Sequence, residues 1–302
     1  MAAPLIALVG PTAAGKSAVA LRLARELSGE IVSCDSLQVY RGLDIGSAKA
    51  TAAERAEVPH HLLDVVDPDA LFSAAEYARL ARAAVADIAG RGRVPIVAGG
   101  TGLYLRALVF GLFEGPPRDA AFRARLAAFA ARRGAERMHR LLARVDPESA
   151  ARLSPADEIR VVRALEVFRA TGRPLTAHHR GGAAALEGFR VHVVGIAPPR
   201  EALRAAVVRR TDEMFARGLV AEVRGLLERG YAPDLRPLQA IGYRQAVEVA
   251  LGRGDEAAAR RDIVAATMQY AKRQLTWFRH QTDASWSETP DGAFAAALAA
   301  QR

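Results

Sequence analysis

The sequence holds a single cysteine, Cys34, among 302 residues. That excludes a disulfide framework and a cysteine-based zinc site. Cys34 sits in an apolar run and reads as a small buried hydrophobe. No apolar stretch approaches the roughly 18–20 residues needed to span a bilayer, so no membrane partner is expected. The first apolar run opens at residue 5, which leaves no room for a signal peptide, and the chain is expected to be cytoplasmic. Repeats and low-complexity tails are absent. The histidine pairs His60-His61 and His178-His179 lack the i,i+4 spacing of helical metal ligands and read as non-metal. Lysine is scarce while arginine and alanine abound, a compositional bias of little functional weight.

What is present is 51% hydrophobic, enough for a substantial core, with a net charge of +9. The charge is uneven. Residues 117–180 carry 14 arginines, no lysine and 7 acids. A concentrated basic lobe is the footprint of a polyanionic partner such as nucleic acid, and equally that of a solvated helix face. Charge alone does not choose between them.

The strongest local signal is Gly10-Pro11-Thr12-Ala13-Ala14-Gly15-Lys16-Ser17. It follows the apolar run 5–9 and leads into an amphipathic segment, 18–27, which is the strand–loop–helix context that G-x-x-x-x-G-K-[ST] requires. Gly10 and Gly15 allow successive N–H groups to turn inward as an anion nest. The helix N-terminus adds partial positive charge, Lys16 a full one, and the Ser17 hydroxyl can hold a magnesium ion. A diphosphate or triphosphate ligand is expected, which makes this a nucleotide- or ATP-binding type of loop.

Apolar runs at 5–9, 31–34, 61–66, 94–98 and 191–196 alternate with helical periodicity at 74–89 and 201–209. That pattern predicts an α/β fold: a P-loop-type parallel sheet core flanked by helices. Gly115-Pro116-Pro117 breaks it, and only helix signals follow from Arg118 to Thr176. Pro147 and Pro155 read as first helical residues, and Gly181-Gly182 closes the stretch. An all-helical insertion domain is therefore expected at 116–183, inside a core formed by 1–115 and 184–302. After residue 196 the chain reads as mostly helical, with loops at 230–242 and 252–254.

In such a sheet the carboxyl ends of neighbouring strands open on one crevice. Asp35 ends the second strand and faces the phosphate loop as a magnesium carboxylate, a general base, or simply a cap for the next helix. Gly99-Gly100-Thr101-Gly102 ends another strand, before a helix at 103–110. Its Thr101 hydroxyl could touch a phosphate or a leaving oxygen. Near the C-terminus, Lys272, Thr276 and Arg279 share one helix face while Leu275 and Phe278 lie toward another.

Taken in order, these segments resemble the tRNA dimethylallyltransferase (tRNA isopentenyltransferase) family of bacterial type. The resemblance rests on 10–17, on Asp35-Ser36-Leu37-Gln38-Val39-Tyr40-Arg41-Gly42-Leu43-Asp44-Ile45-Gly46-Ser47-Ala48-Lys49, and on Pro59-His60-His61-Leu62-Leu63-Asp64. It continues through Val97-Ala98-Gly99-Gly100-Thr101-Gly102-Leu103-Tyr104, Arg163-Ala164-Leu165-Glu166-Val167, Ile241-Gly242-Tyr243-Arg244 and the 272–279 run.

The resemblance implies transfer of a dimethylallyl group from dimethylallyl diphosphate to N6 of the adenine at tRNA position 37, in tRNAs reading codons that begin with U. Lys16, the loop amides, Mg²⁺ near Ser17 and an arginine, Arg210 among the candidates, would neutralise the departing diphosphate. Thr101 would bond near the bridging oxygen, and Asp35 would take the amine proton. The adenine must be flipped out of its stack to enter the pocket, with Asp35, Ser36, Leu37, Gln38, Tyr40 and Thr101 close to it. Arg123 and Ile159, Arg160, Val161, Val162 and Arg163 would grip the anticodon stem. Gln239, Ala240, Ile241, Gly242, Tyr243 and Arg244, with Lys272, Arg273, Gln274, Thr276, Trp277 and Arg279, would line the tRNA side of the channel. Ile159 departs from relatives that carry Gln there, and Ser17 stands where many have Thr. A monomer is expected. The alternatives are an adenylate isopentenyltransferase, which has no use for a basic lobe, and a P-loop small-molecule kinase.

Overall fold

The computed structural model describes residues 2–113, 115–180 and 184–301; the expected Gly181-Gly182 closure lies outside them. The chain packs as two units, Met1–Val109 with Leu186–Arg302, and Phe110–Ala185.

The first unit opens with β1 (Ala3–Val9), α1 (Lys16–Glu26), β2 (Glu30–Ser33), α2 (Ala52–Glu57), β3 (His60–His61), α3 (Ala74–Gly90), β4 (Pro95–Ala98) and α4 (Gly102–Phe110). The second unit consists of α5 (Ala120–Arg133), α6 (Ala135–Val145), α7 (Pro147–Arg152), α8 (Glu158–Thr171) and α9 (Leu175–Arg180). The chain then returns through β5 (Phe189–Ile196), α10 (Arg200–Ala216), α11 (Leu219–Glu228), a 3-10 turn at Arg236–Gln239, α12 (Tyr243–Ala250), α13 (Glu256–Gln281), β6 (Ser285–Ser287) and α14 (Pro290–Ala299).

The strands form one sheet in the order β3-β2-β4-β1-β5-β6, and every pairing is parallel. β1 is central and covered on both faces. Leu5, Ala7 and Val9 join one apolar cluster, while Ile6 and Leu8 join the other. This period-2 division explains why the strand reads as an unbroken apolar run. Because the sheet is parallel, β1, β2 and β4 all end at the same edge. Gly10, Asp35 and Gly99 are thereby delivered to one crevice.

Three expectations change. The run 61–66 is a strand only at His60–His61, because Leu62 and Asp64 then take positive φ angles of 62° and 55°. The turn carries the Asp64 carboxylate to the buried Lys49 ammonium, at 2.7 Å. Pro155 does not start a helix: α8 begins at Glu158, where Asp157 caps it by accepting the Arg160 N–H. Pro147 does occupy the first turn of α7, behind the Asp146 cap. The edge strand β6 has no counterpart in the sequence reading. Ser285-Trp286-Ser287 is too short and polar to signal a strand, and the Trp286 ring is what docks it. A Cβ on Gly195 of β5 would lie 2.4 Å from that ring.

The helical unit has its own core of Leu126, Met138, Leu142, Val161, Ala164 and Leu165. The buried Asp146 carboxylate accepts from the N–H and hydroxyl of both Ser149 and Thr176. Those bonds fasten α7 and α9 together.

Candidate active site

The phosphate loop has the backbone that its glycines predict. Gly10 has φ +138°, and a Cβ there would meet the Ile196 carbonyl oxygen at 2.3 Å. Gly15, with φ 88°, leads directly into α1. Lys16 curls back over the loop and donates to the carbonyls of Gly10 (3.0 Å) and Pro11 (2.7 Å). Burial, and then the nearby Arg210 charge, lower its pKa to about 8.

Arg210, from α10, reaches the same loop. It donates to Thr12 Oγ1 at 3.1 Å and to the Ser47 carbonyl at 3.5 Å, and burial lowers its pKa. Two half-buried cations that line one cavity and have only neutral hydrogen-bond partners form an arrangement that an anion would stabilise.

Across the crevice, Asp35 Oδ1 accepts the Leu37 N–H at 2.8 Å. That bond fixes the carboxylate and leaves Oδ2 to take a proton. The bond is local, as the capping alternative anticipates, but the residues that follow form a turn rather than a helix. Thr101 N–H donates to the Cys34 carbonyl (3.1 Å) and Thr101 Oγ1 accepts the Ser36 N–H (3.0 Å). Thr101 therefore ties the ends of β2 and β4 together behind the cavity wall. Gly99 is required there, since its Cβ would lie 2.0 Å from the Cys34 oxygen.

These groups surround a cavity of about 450 Å³ built entirely from the first unit. Of the expected site residues, Thr12, Lys16, Ser17, Asp35, Ser36, Leu37, Gln38, Tyr40, Arg210, Gln274 and the 239–242 segment line it. A smaller cavity of about 280 Å³ adjoins the phosphate loop, lined by Ala13, Ala14, Gly15, Lys16, Ser17, Arg209 and Arg210 among others. Gln38 is held on both sides: its Oε1 accepts from Ser33 Oγ at 2.8 Å, and its Nε2 donates to the Ser47 and Ala48 carbonyls at 3.2 Å.

Several expected residues stand elsewhere. Tyr243 is fully buried and donates its hydroxyl to Glu222 at 2.7 Å, so it packs behind the wall instead of lining it. Trp277 lies against the first turn of α4, where a Cβ on Gly102 would meet its ring at 2.2 Å. Lys272, Arg273, Thr276, Arg279 and Arg244 are exposed and outside the cavity lining. In the helical unit, Val161 is fully buried and Ile159 is 79% exposed. Arg160 sits 3.4 Å from Asp157, and Val162 is half-buried. Arg123 and Arg163 both grip the buried Glu166 carboxylate, at 2.8 and 2.7 Å.

Sequence reasoning missed an aromatic wall. Phe72, Tyr104 and Tyr270 line the cavity, and Tyr104 stacks on buried Tyr77 with centroids 4.2 Å apart. Only Tyr104 lay inside a recognisable motif. Phe72 lies in the irregular stretch before α3 and Tyr270 within α13, and no motif marks either.

Residues 38–281 match the family model described as IPP transferase. A tRNA dimethylallyltransferase of Solibacter usitatus is 49% identical over 286 residues, covering 94% of this chain and 92% of that one. One of Geobacter metallireducens is 50% identical over 286 residues, covering 95% and 93%. Among solved structures, a tRNA delta(2)-isopentenylpyrophosphate transferase of Staphylococcus epidermidis superposes with a TM-score of 0.69 at 34% identity, covering 99% of this chain and 98% of that one. A eukaryotic dimethylallyltransferase acting on tRNA superposes with a TM-score of 0.79 at 25% identity, covering 99% and 77%. The phosphate loop, the Asp35 turn and the Gly99–Gly100 turn meet in one cavity, and the likeness runs through nearly the whole length of the bacterial relatives: this chain belongs to the tRNA dimethylallyltransferase (IPP transferase) family.

Proposed function

We propose that this chain transfers the dimethylallyl group of dimethylallyl diphosphate to N6 of adenosine 37, in tRNAs that read codons beginning with U. The observation that carries this reading is the facing of two half-buried cations, Lys16 and Arg210, by one fixed carboxylate, Asp35, across a single cavity. An exocyclic adenine amine is a weak nucleophile, and diphosphate leaves only when its growing charge is neutralised. The bond from C1 of the allyl group to the diphosphate oxygen breaks as the N6–C1 bond forms. N6 gives its proton to Asp35, and diphosphate stays on Lys16, Arg210 and the loop amides until it departs. Thr101 keeps Asp35 and the second glycine turn in register.

Among the described residues no three His, Cys, Asp or Glu side chains are grouped to hold a metal. Magnesium is commonly held by one or two protein oxygens plus substrate phosphates and water, and the Ser17 hydroxyl beside an anion nest fits that role. When bound, the ion would add positive charge where the diphosphate develops its own.

The adenine enters unstacked from its loop, with Gln38 and Tyr40 beside it, while the helical unit holds the anticodon stem. Gln239 to Gly242 and the exposed Arg244, Lys272, Arg273, Thr276 and Arg279 supply further tRNA contacts. The enzyme acts as a monomer in the cytoplasm.

The test mixes purified protein, labelled dimethylallyl diphosphate, unmodified tRNA and AMP, then maps the label. Label at N6 of adenosine 37 is expected. Label confined to AMP would make the chain an adenylate isopentenyltransferase, and release of inorganic phosphate from ATP would make it a kinase-like enzyme.

A further inference from the structure

Glu222, on α11, is outside the cavity lining and outside every motif in the sequence, yet it has an unusual set of partners. Its carboxylate accepts the backbone N–H groups of Asp44 (2.9 Å), Ile45 (2.7 Å) and Gly46 (3.4 Å), and the Tyr243 hydroxyl (2.7 Å). Three successive amides converging on one carboxylate form an anion nest whose occupant is supplied by the protein itself.

The segment thus gripped continues as Gly46, Ser47 and Ala48, all three of which line the cavity. Its carbonyls hold the two groups that face the substrates. The Ser47 and Ala48 oxygens take the Gln38 amide, and the Ser47 oxygen also receives Arg210 Nη2. The Tyr243 ring presses on the segment from behind. A Cβ on Gly46 would lie 2.5 Å from that ring, so glycine is what lets the ring approach.

We infer that Glu222, completed by the Tyr243 hydroxyl, is a positioning residue for the transfer reaction: it clamps residues 44–46 so that the Ser47 and Ala48 carbonyls hold Arg210 and Gln38 in their working orientations. This rests on the dimethylallyl-transfer reading of the same cavity. It also gives Tyr243 a task, as a strut behind the wall. A misplacement of about 1 Å in such groups costs up to roughly 100-fold in rate.

The test compares Glu222→Ala, Glu222→Gln, Tyr243→Phe, Arg210→Ala and the double variant Glu222→Ala/Arg210→Ala in steady-state transfer to tRNA, with the dissociation constant for tRNA measured separately. Glu222→Ala is expected to lower kcat about 10- to 100-fold with tRNA affinity unchanged. Tyr243→Phe, which removes one hydrogen bond, should fall part-way. Glu222→Gln keeps an acceptor for the amides and should recover part of the loss. The double variant should lose less than the product of the two single losses, because both changes undo the Arg210 placement and only the Gln38 share of the Glu222 effect remains independent. A wild-type kcat in Glu222→Ala, or strictly multiplicative losses in the double variant, would overturn the inference. Should Glu222→Ala not fold, Tyr243→Phe decides in its place: an unchanged kcat there overturns the inference. Wild-type protein that prenylates no tRNA would instead refute the transferase reading.

Discussion

Gln274 Oε1 accepts the Thr12 N–H at 2.9 Å, while its Nε2 donates to the Gly100 carbonyl at 2.8 Å. One buried side chain from α13 thus fastens the phosphate loop to the second glycine turn. The family pattern suggests a tRNA contact for this residue; its structural partners are two backbone segments. Both amide groups are satisfied, so Gln274→Ala would free the half-buried Thr12 N–H and leave the buried Gly100 carbonyl unpaired, the latter at ~1–3 kcal/mol. Gln274→Ala is therefore expected to lower the thermal midpoint and weaken diphosphate binding together, measured by calorimetry on the same sample. Loss of tRNA affinity alone would contradict that placement.

Asp35→Asn should abolish most transfer while tRNA binding stays near normal. The amide oxygen can still accept the Leu37 N–H, so the turn survives while the proton acceptor is lost. General-base contributions of about 100- to 10,000-fold set the expected loss in kcat. Quenched single-turnover assays at saturating tRNA check it, and a normal rate would remove Asp35 from the base role.

Diphosphate affinity should depend on Lys16 protonation. Burial, and then Arg210, lower the Lys16 pKa to about 8, and a bound anion favours the charged form. Affinity should therefore hold below pH ~8 and fall above it, by up to tenfold per pH unit while only Lys16 titrates. The sign for folding runs the other way. Below that pH the buried charge is a cost to the folded state, and the cost is relieved as pH rises from about 8 toward the ordinary lysine value. Calorimetric titration of diphosphate from pH 7 to 10 tests the first effect. Lys16→Met should flatten the profile.

In the helical unit, burial alone would raise the Glu166 pKa. The bonds from Arg123 and Arg163, with the Asp119 N–H, outweigh it and hold the value at about 2. The stabilisation is present above the ordinary glutamate value and is lost as pH falls from there toward about 2. Glu166→Gln would leave two arginines facing a neutral group. Because both are about 30% exposed, the cost should sit at the low end of the ~3–5 kcal/mol seen for broken buried pairs. Urea unfolding of both proteins at pH 7 and at pH 3 should show a gap that narrows in acid.

Arg137, Arg140 and Arg144 follow a helical i, i+3, i+7 spacing on α6, and all three are exposed. They are opposite in character to Arg123 and Arg163, whose charges are already committed to Glu166. Replacing all three by Gln should weaken tRNA binding and reduce the slope of log affinity against log salt by about two to three, close to one for each phosphate that is no longer neutralised. An unchanged slope would make the stripe a solvated face.

The phosphate loop, the parallel sheet and the helical insertion were legible from the residues alone, because each is written locally. Gly10 and Gly15 need backbone angles that only glycine takes easily, β1 is apolar on both faces, and a helix cap such as Asp146, just before Pro147, acts within three residues. Strand ends of a parallel sheet share an edge, so Asp35 and the Gly99 turn could be assigned to one crevice in advance. Which side chains face that crevice is set by packing. Tyr243 and Gln274 belong to family motifs, but Tyr243 braces the wall and Gln274 ties two loops, and Glu222 carries no local signature at all. Their partners lie 21, 262 and up to 178 residues away along the chain. Hydrogen bonds of that span arise only when separate helices pack on one sheet, and no spacing within a helix or loop encodes them.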